Sequence, residues 1–108
     1  LFVSASVSSI YLPLSRNTSS TSRVTLTNLS GENASVSISL TWSYSPVMGS
    51  ISPSSGTISP NGTFSFDFNG SADNNALGNY VGSVRIQSTL PSASETLTLP
   101  VNVEVFSS

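Results

Sequence analysis

Hydrophobic residues recur at every second position along most of this chain, and no stretch repeats with the period of a helix. The clearest run is 34–44, in which apolar and aromatic side chains alternate with serine and threonine. The same alternation marks 63–69 and 95–106. Because a period of two places successive side chains on opposite faces, each run predicts a β-strand with one buried face.

Shorter runs and turn signals complete the pattern. Further strands are predicted over 9–15, 23–29 and 80–87. Segment 51–63 is interrupted by proline and leaves room only for short pairing segments. The dipeptides Asn61-Gly62 and Asn69-Gly70 are typical of turns, so the phenylalanine-rich strand is predicted to begin and end there. This succession predicts an all-β fold, an antiparallel immunoglobulin-like β-sandwich of about six to seven strands.

The sequence predicts specific packing or edge positions for three residues inside these strands. Trp42 is expected to pack across the centre of the sandwich. Gly82 is expected to leave room for an aromatic side chain opposite it. Pro100 has no N–H to donate, so its strand is expected to lie at an edge or to change sheets there.

The N-terminal segment 1–7 alternates as well. Its apolar face consists of Leu1, Val3, Ala5 and Val7. The parity of the pattern changes before 9–15, so Ser8-Ser9 marks a bulge or a break between two strands. The segment either pairs within its own domain, as the first half of a kinked strand, or completes the sheet of a neighbouring molecule by β-augmentation. Its apolar face argues against disorder.

The composition narrows the range of functions. The chain has 27 Ser and 10 Thr in 108 residues, but only 3 Arg, 5 acids and no Lys, His or Cys. So few basic residues exclude a nucleic-acid interface, and the absence of cysteine excludes disulfides. No stretch approaches the roughly 18 apolar residues of a membrane span. Because there is little to titrate, folding is expected to depend weakly on pH, which suits an acidic or variable exterior.

Catalytic and metal sites have little support in the sequence. Without His, Cys or Lys, the remaining option is a glycosidase-type carboxylate pair, and the nearest pair, Asp67 and Asp73, has no aromatic cleft around it. Oxygen-bearing side chains stand at every second position of this stretch: Asp67, Asn69, Ser71 and Asp73. An EF-hand loop would have a glycine and a final acid where Ala72 and Gly78 stand. We therefore expect no catalytic residue, no metal and no cofactor.

Five asparagines stand in N-x-[ST] sequons: Asn17, Asn28, Asn33, Asn61 and Asn69. All five are predicted to lie in turns or at strand ends, where a glycosylating enzyme can reach them. N-linked glycans on several of them are expected, and unmodified turn asparagines are the alternative.

Several segments resemble the immunoglobulin-like modules that are common on secreted microbial proteins, among them TSRVTLTNLSGENASVSISLTW, SPSSGTISPNGTFSFDF, GNYVGSVRIQS and LTLPVNVEV. With its lysine-free, sequon-bearing composition and N-terminal strand, the chain looks like the subunit of the surface thread filaments of thermoacidophilic archaea. Those are glycosylated, donor-strand-linked polymers, similar in fold to bacterial chaperone–usher pilins. The resemblance implies a donor strand whose contact residues are Leu1, Phe2, Val3, Ala5 and Val7. Those pilins lack their last strand, whereas 95–106 is a good strand here.

The predicted organisation is a donor strand over 1–8, extended to 14 in a longer version, followed by a sandwich over 9–108. The predicted function is a structural subunit of a glycosylated extracellular filament, which polymerises head to tail with identical subunits and serves adhesion or cell–cell contact. The alternative is a non-catalytic accessory module of a larger secreted enzyme or S-layer protein. A carbohydrate-binding module would need a platform of exposed aromatic residues, for which Phe2, Tyr11 and Phe106 are the outward candidates.

Overall fold

Nine strands form two facing sheets in the computed structural model, which describes residues 1–107. The strands are β1 (Val3–Ala5), β2 (Ile10–Ser15), β3 (Ser19–Asn28), β4 (Ala34–Thr41), β5 (Val47–Ser52), β6 (Ser55–Ile58), β7 (Thr63–Ala72), β8 (Gly78–Thr89) and β9 (Ser94–Phe106). The first sheet has the order β1-β3-β7-β5, and the second has the order β2-β9-β8-β4-β6. The chain is therefore an all-β, immunoglobulin-like sandwich, as the sequence predicts.

The core lies between the sheets and consists of the predicted inward-facing residues. Fully buried residues of β3, β7, β8 and β9 include Val24, Leu26, Phe66, Phe68, Val84, Ile86, Leu99, Val101 and Val103. Burying one such side chain contributes roughly 1.5–3 kcal/mol to folding. With no cysteine and few charges in the chain, apolar packing is the main source of its stability.

The predicted turn at Asn69-Gly70 is wrong, because β7 continues through both residues. Asn69 is paired with Thr21 of β3 on one side and with Ser50 of β5 on the other. A Cβ atom on Gly70 would lie 2.6 Å from Leu12 Cδ2 of the opposite sheet. Glycine is therefore needed here for close packing between the sheets, not for a turn.

Trp42 packs between the sheets, directly after the end of β4. Its ring makes edge-to-face contacts with Phe68 and Tyr44, at centroid distances of 5.6 and 5.1 Å. Its Nε1–H donates to Val47 O at 2.7 Å. A Cβ atom on Gly82 would lie 2.6 Å from the Trp42 ring, which confirms the expected space for an aromatic side chain. The strand that was predicted to reach Tyr44 ends one residue before Trp42.

The N-terminal segment divides between the two sheets. β1 pairs antiparallel with β3, whereas β2 pairs with β9, beginning with Ile10 opposite Val101. The parity change at Ser8-Ser9 is therefore a break between two strands. The β2–β9 pair is parallel, which the sequence pattern did not indicate. β9 lies at the edge of the second sheet up to Pro100, and β2 pairs with it only from Val101 onwards. This confirms the expectation that Pro100, which has no N–H to donate, lies at an edge.

Replacing Gly82 with alanine is expected to lower the free energy of unfolding by about 1–3 kcal/mol. The new methyl group would lie 2.5 Å from Thr41 O and 2.6 Å from the Trp42 ring. Gly31→Ala is the matched control, because a Cβ atom there has no neighbour within 4 Å. Urea unfolding followed by Trp42 fluorescence measures both variants, and equal losses of stability would contradict the packing role of Gly82.

Candidate functional site

The N-terminal strand lies against its own chain. Three register pairs join β1 to β3: Val3 with Asn28, Ser4 with Thr27 and Ala5 with Leu26. Beyond these pairs, Phe2 O accepts a hydrogen bond from Leu29 N at 2.7 Å. At the other end, Ser6 N donates to Thr25 O at 2.9 Å. β1 is therefore a short edge strand of the first sheet, held by backbone hydrogen bonds at both ends.

The predicted apolar face of this segment is buried only in the middle. Val3 is 1% exposed, and Ala5 and Phe2 pack against the core while partly exposed. Leu1 is 91% exposed and Val7 is 39% exposed, so the two ends of the predicted face lie in solvent. The donor-strand role assigned to this segment requires a second molecule and stays a prediction.

A carboxylate from the opposite sheet holds the beginning of β1. Glu95 Oε1 of β9 accepts hydrogen bonds from Phe2 N at 2.6 Å and from Val3 N at 3.0 Å. Hydrogen bonds to a charged acceptor are roughly twice as strong as neutral ones. The other oxygen, Glu95 Oε2, is buried and has no hydrogen-bond partner among residues 1–107. Glu95 therefore ties β1, which pairs with β3 in the first sheet, to the second sheet as well.

A groove of about 370 Å³ separates β1 from the first half of β9. Its lining is mainly apolar, with Leu1, Val3, Ala5, Val7, Leu29, Leu97 and Leu99 accompanied by Ser4, Ser8 and Thr98. The groove exists because the chain crosses from the first sheet to the second over 6–9, which leaves β9 uncovered on one side before Pro100. We call this groove, with the uncovered half of β9, the open corner.

The oxygen-bearing residues considered as calcium ligands are engaged by other residues of the chain. Asp67 forms an ion pair with Arg23 at 3.0 Å, which raises the pKa of Arg23 through their hydrogen bond and charge attraction. Asn69 Nδ2 donates to Ser52 Oγ at 3.1 Å. Asp73 lies beyond the end of β7, and its Oδ1 atom accepts a hydrogen bond from Asn75 N at 2.7 Å. No group of three or more His, Cys, Asp or Glu residues that could hold a metal occurs within residues 1–107.

The sequon asparagines differ in exposure. Asn17, Asn33 and Asn61 are exposed, and Asn69 lies partly exposed on the outer face of β7. Asn17 and Asn61 have φ angles of 60° and 62°, a left-handed conformation that asparagine tolerates in turns. The predicted surface position is therefore confirmed for Asn17, Asn33 and Asn61.

Asn28 is fully buried, and this corrects its assignment as an accessible sequon. Its Nδ2 group donates to Glu32 O at 2.7 Å and to Ile58 O at 2.9 Å. Its Oδ1 atom accepts from Ser30 N at 3.0 Å and from Ser30 Oγ at 2.7 Å. Nδ2 is the atom to which a glycan would attach, so Asn28 is closed to glycosylation in the folded chain. The Asn-x-Ser spacing signals the local Asx turn, but not the contact with Ile58.

Two of the three aromatic residues considered for a sugar platform lie on one sheet face. Tyr11 of β2 and Phe106 of β9 are 51% and 47% exposed on the second sheet. Tyr11 lies opposite Asn102, so Phe106 is four residues, or about 13 Å, further along. Tyr11 Oη donates to Glu104 Oε1 at 2.6 Å, and this hydrogen bond raises the pKa of Tyr11. Phe2 directly precedes β1 and packs, partly buried, against the core, which corrects its assignment as an outward residue, so the three rings do not form a platform.

Solved structures with this arrangement of strands come from several kinds of protein. The ASH / PapD-like domain 7 of human CEP192 aligns with a TM-score of 0.80 at 15% identity, covering 99% of this chain and 87% of that one. The Pseudomonas aeruginosa CupB2 chaperone aligns with a TM-score of 0.72 at 14% identity, covering 94% of this chain and 55% of the chaperone. WR4, an MSP family member of Caenorhabditis elegans, aligns with a TM-score of 0.60 at 10% identity, covering 97% and 98%. The fold is PapD-like.

These likenesses show the fold alone, because all three identities are low. The chain spans about half the length of the chaperone. No family model and no curated protein matches the sequence. Within residues 1–107, no helix is long and apolar enough to cross a membrane.

Asn28→Asp is expected to lower the free energy of unfolding by about 2–4 kcal/mol in unglycosylated protein. The buried carbonyl oxygen of Ile58 would lose its donor, the part-buried carbonyl oxygen of Glu32 would lose one of two donors, and a carboxylate would take the place of the amide. Asn33→Asp makes the same chemical change at an exposed sequon and is expected to change stability by less than about 0.5 kcal/mol. Urea denaturation compares the two variants, and similar losses would refute the buried role of Asn28.

Proposed function

We propose that this chain is a non-catalytic immunoglobulin-like module with a structural role in an extracellular protein. The observation that carries this proposal is the pairing of β1 with β3 of the same chain. Val3 is buried by its own molecule, and Glu95 binds the backbone of the same strand. The sandwich is thus closed at β1 without a strand from a partner.

The surface and the structural relatives support the proposal. The outward positions of β4 are Ser35, Ser37, Ser39 and Thr41, and all are hydroxyl-bearing. Such a surface has few groups to titrate, which suits an acidic or variable exterior. The similar structures reported above comprise a chaperone, a PapD-like domain and an MSP family member. None of these is named as an enzyme.

A second candidate is a filament subunit in which β1 of one copy takes the place of β1 in the next. β1 favours this candidate because it has only three register pairs, fewer than any other strand within residues 1–107. The connecting residues 6–9 form no strand, so they can act as a linker. Head-to-tail exchange of this kind does not close on itself and would build a filament, with adhesion or cell contact as its role.

A disulfide between β1 and β3 distinguishes the two candidates. Ser4 and Thr27 lie directly opposite each other, and the chain has no natural cysteine. Opposite residues of an antiparallel pair have Cα atoms about 4.5–5.5 Å apart, which suits a disulfide. If the module proposal is correct, the oxidised Ser4→Cys/Thr27→Cys variant should run as a single monomer band on a non-reducing gel.

Ser35→Cys/Thr89→Cys is the matched control, because β4 and β8 pair within one copy under both candidates. A ladder of cross-linked multimers from the first variant, with monomers from the control, would overturn the module proposal in favour of the filament. Negative-stain micrographs of the unmodified chain give an independent measurement. The module should show no fibres.

We also propose that N-linked glycans occupy the exposed sequons. Produced in a secretory host, the chain should have an intact mass above 11.2 kDa, with glycopeptides containing Asn17, Asn33 or Asn61. Asn28 should stay unmodified in folded protein, because its Nδ2 group is buried and donates two hydrogen bonds. A bare mass, or a glycan on Asn28 of folded protein, would count against this proposal.

A further inference from the structure

The open corner has backbone groups that no strand pairs with. β2 pairs with β9 only from Val101 onwards, so the half of β9 over 94–100 has a neighbour on one side, β8. Arg16 N donates to Phe106 O, which shows that even-numbered residues of β9 direct their backbone groups towards β2. Because this direction alternates along a strand, the N–H and C=O groups of Thr96 and Thr98 face the open side. Within residues 1–107, no strand covers that side.

Exposed apolar side chains border the same edge. Leu1, Leu29 and Val7 line the groove beside it and are 91%, 59% and 39% exposed. They account for three of the eight exposed large hydrophobic residues within 1–107. An unpaired strand edge beside exposed apolar residues is a surface on which another strand can add.

We propose that this half of β9 pairs antiparallel with the same segment of a second copy, forming a closed two-fold dimer. The sequence Thr96-Leu97-Thr98 reads the same in both directions. In a pairing centred on Leu97, Thr96 of each copy lies opposite Thr98 of the other copy. Each of these two pairs exchanges two backbone hydrogen bonds. Both copies supply the same surface, as a two-fold contact requires.

Charge does not oppose this pairing. Glu95 is the one charged residue of 94–100, and its carboxylate faces the backbone of β1 in its own copy. In the proposed register, the two Glu95 residues would be offset by four positions, or about 14 Å along the strands. That distance exceeds the Debye length of about 8–10 Å at moderate ionic strength.

Sedimentation equilibrium from about 10 μM to about 1 mM tests the proposal with the intact chain. The mass is expected to rise with concentration and to level off at twice 11.2 kDa. Amide exchange gives a second measurement at the level of residues. The Thr96 and Thr98 amides should exchange more slowly as concentration rises, whereas the Leu97 amide, which faces β8, should be protected throughout.

Two variants test the surface itself. Thr98→Pro removes one N–H from the edge, and Leu29→Lys places a charge beside it; each is expected to weaken dimerisation at least about tenfold. Met48→Lys, at a residue of β5 that is 66% exposed, is the matched control for Leu29→Lys and should leave dimerisation unchanged. If circular dichroism shows that the Thr98→Pro variant is unfolded, the dimerisation of Leu29→Lys alone tests the proposal.

A monomer at every concentration would overturn this proposal and leave the proposed module function intact. A dimer weakened by Met48→Lys but not by Leu29→Lys would overturn it too, because the interface would then lie elsewhere. Fibres that grow beyond two copies would overturn both the two-fold dimer and the module, since they indicate head-to-tail exchange of β1.

Discussion

The rest of the structure depends on how the N-terminal residues, which form β1 and β2, pair with both sheets. The backbone groups of a strand edge need partners, and the N-terminal residues supply them first to β3 and then to β9. The crossing over 6–9 lets β1 close the edge of the first sheet while β2 covers the second half of β9. The same crossing leaves the first half of β9 open. The closed sandwich and the open corner are therefore two consequences of a single change of sheet.

Packing and hydroxyl contacts stabilise this fold, with a small contribution from charge. Pairs of hydroxyl side chains hydrogen-bond across neighbouring strands of the first sheet, such as Thr25 with Ser65 at 2.9 Å. Residues 1–107 form one ion pair, between Arg23 and Asp67, and the Arg23 side chain is 70% exposed. Solvent screens such a pair, so it contributes little to stability. Because few contacts within residues 1–107 depend on the charge of a side chain, we expect the stability of the fold to depend weakly on pH, with the Glu95 carboxylate at β1 as the main exception.

The alternation of residue types was sufficient to predict which face of the longer strands, such as β4, β7 and β9, is buried. It placed Phe66 and Phe68 in the core, and it predicted the space beside Gly82 that Trp42 fills. Alternation does not say which strands are neighbours. Asn69-Gly70 looks like a turn because the dipeptide favours one locally, but β3 and β5 pair with it on both sides and keep it extended.

The parts of the site that the sequence did not reveal depend on contacts between distant residues. Asn28 belongs to the buried structure because its side chain reaches Ile58 O, thirty residues further along the chain. The N-terminal strand is held by Glu95, which is 92 residues away from Val3. Neither contact leaves a periodic signal. The Asn28 sequon therefore looked like a surface site, and the apolar alternation of the N-terminal segment did not indicate that β1 pairs with β3 of its own chain.

The Glu95 contact also bears on whether β1 stays with its own chain. A strand from another molecule would have to satisfy the backbone of β3 and the carboxylate of Glu95 in the same way, without gaining a new contact. The short linker to β2 gives the resident strand an effective concentration in the millimolar range. An identical strand from a second copy competes only when its own concentration approaches that value or when the resident strand is restrained elsewhere. With equal contacts on both sides, we expect the linker to favour the closed module over strand exchange.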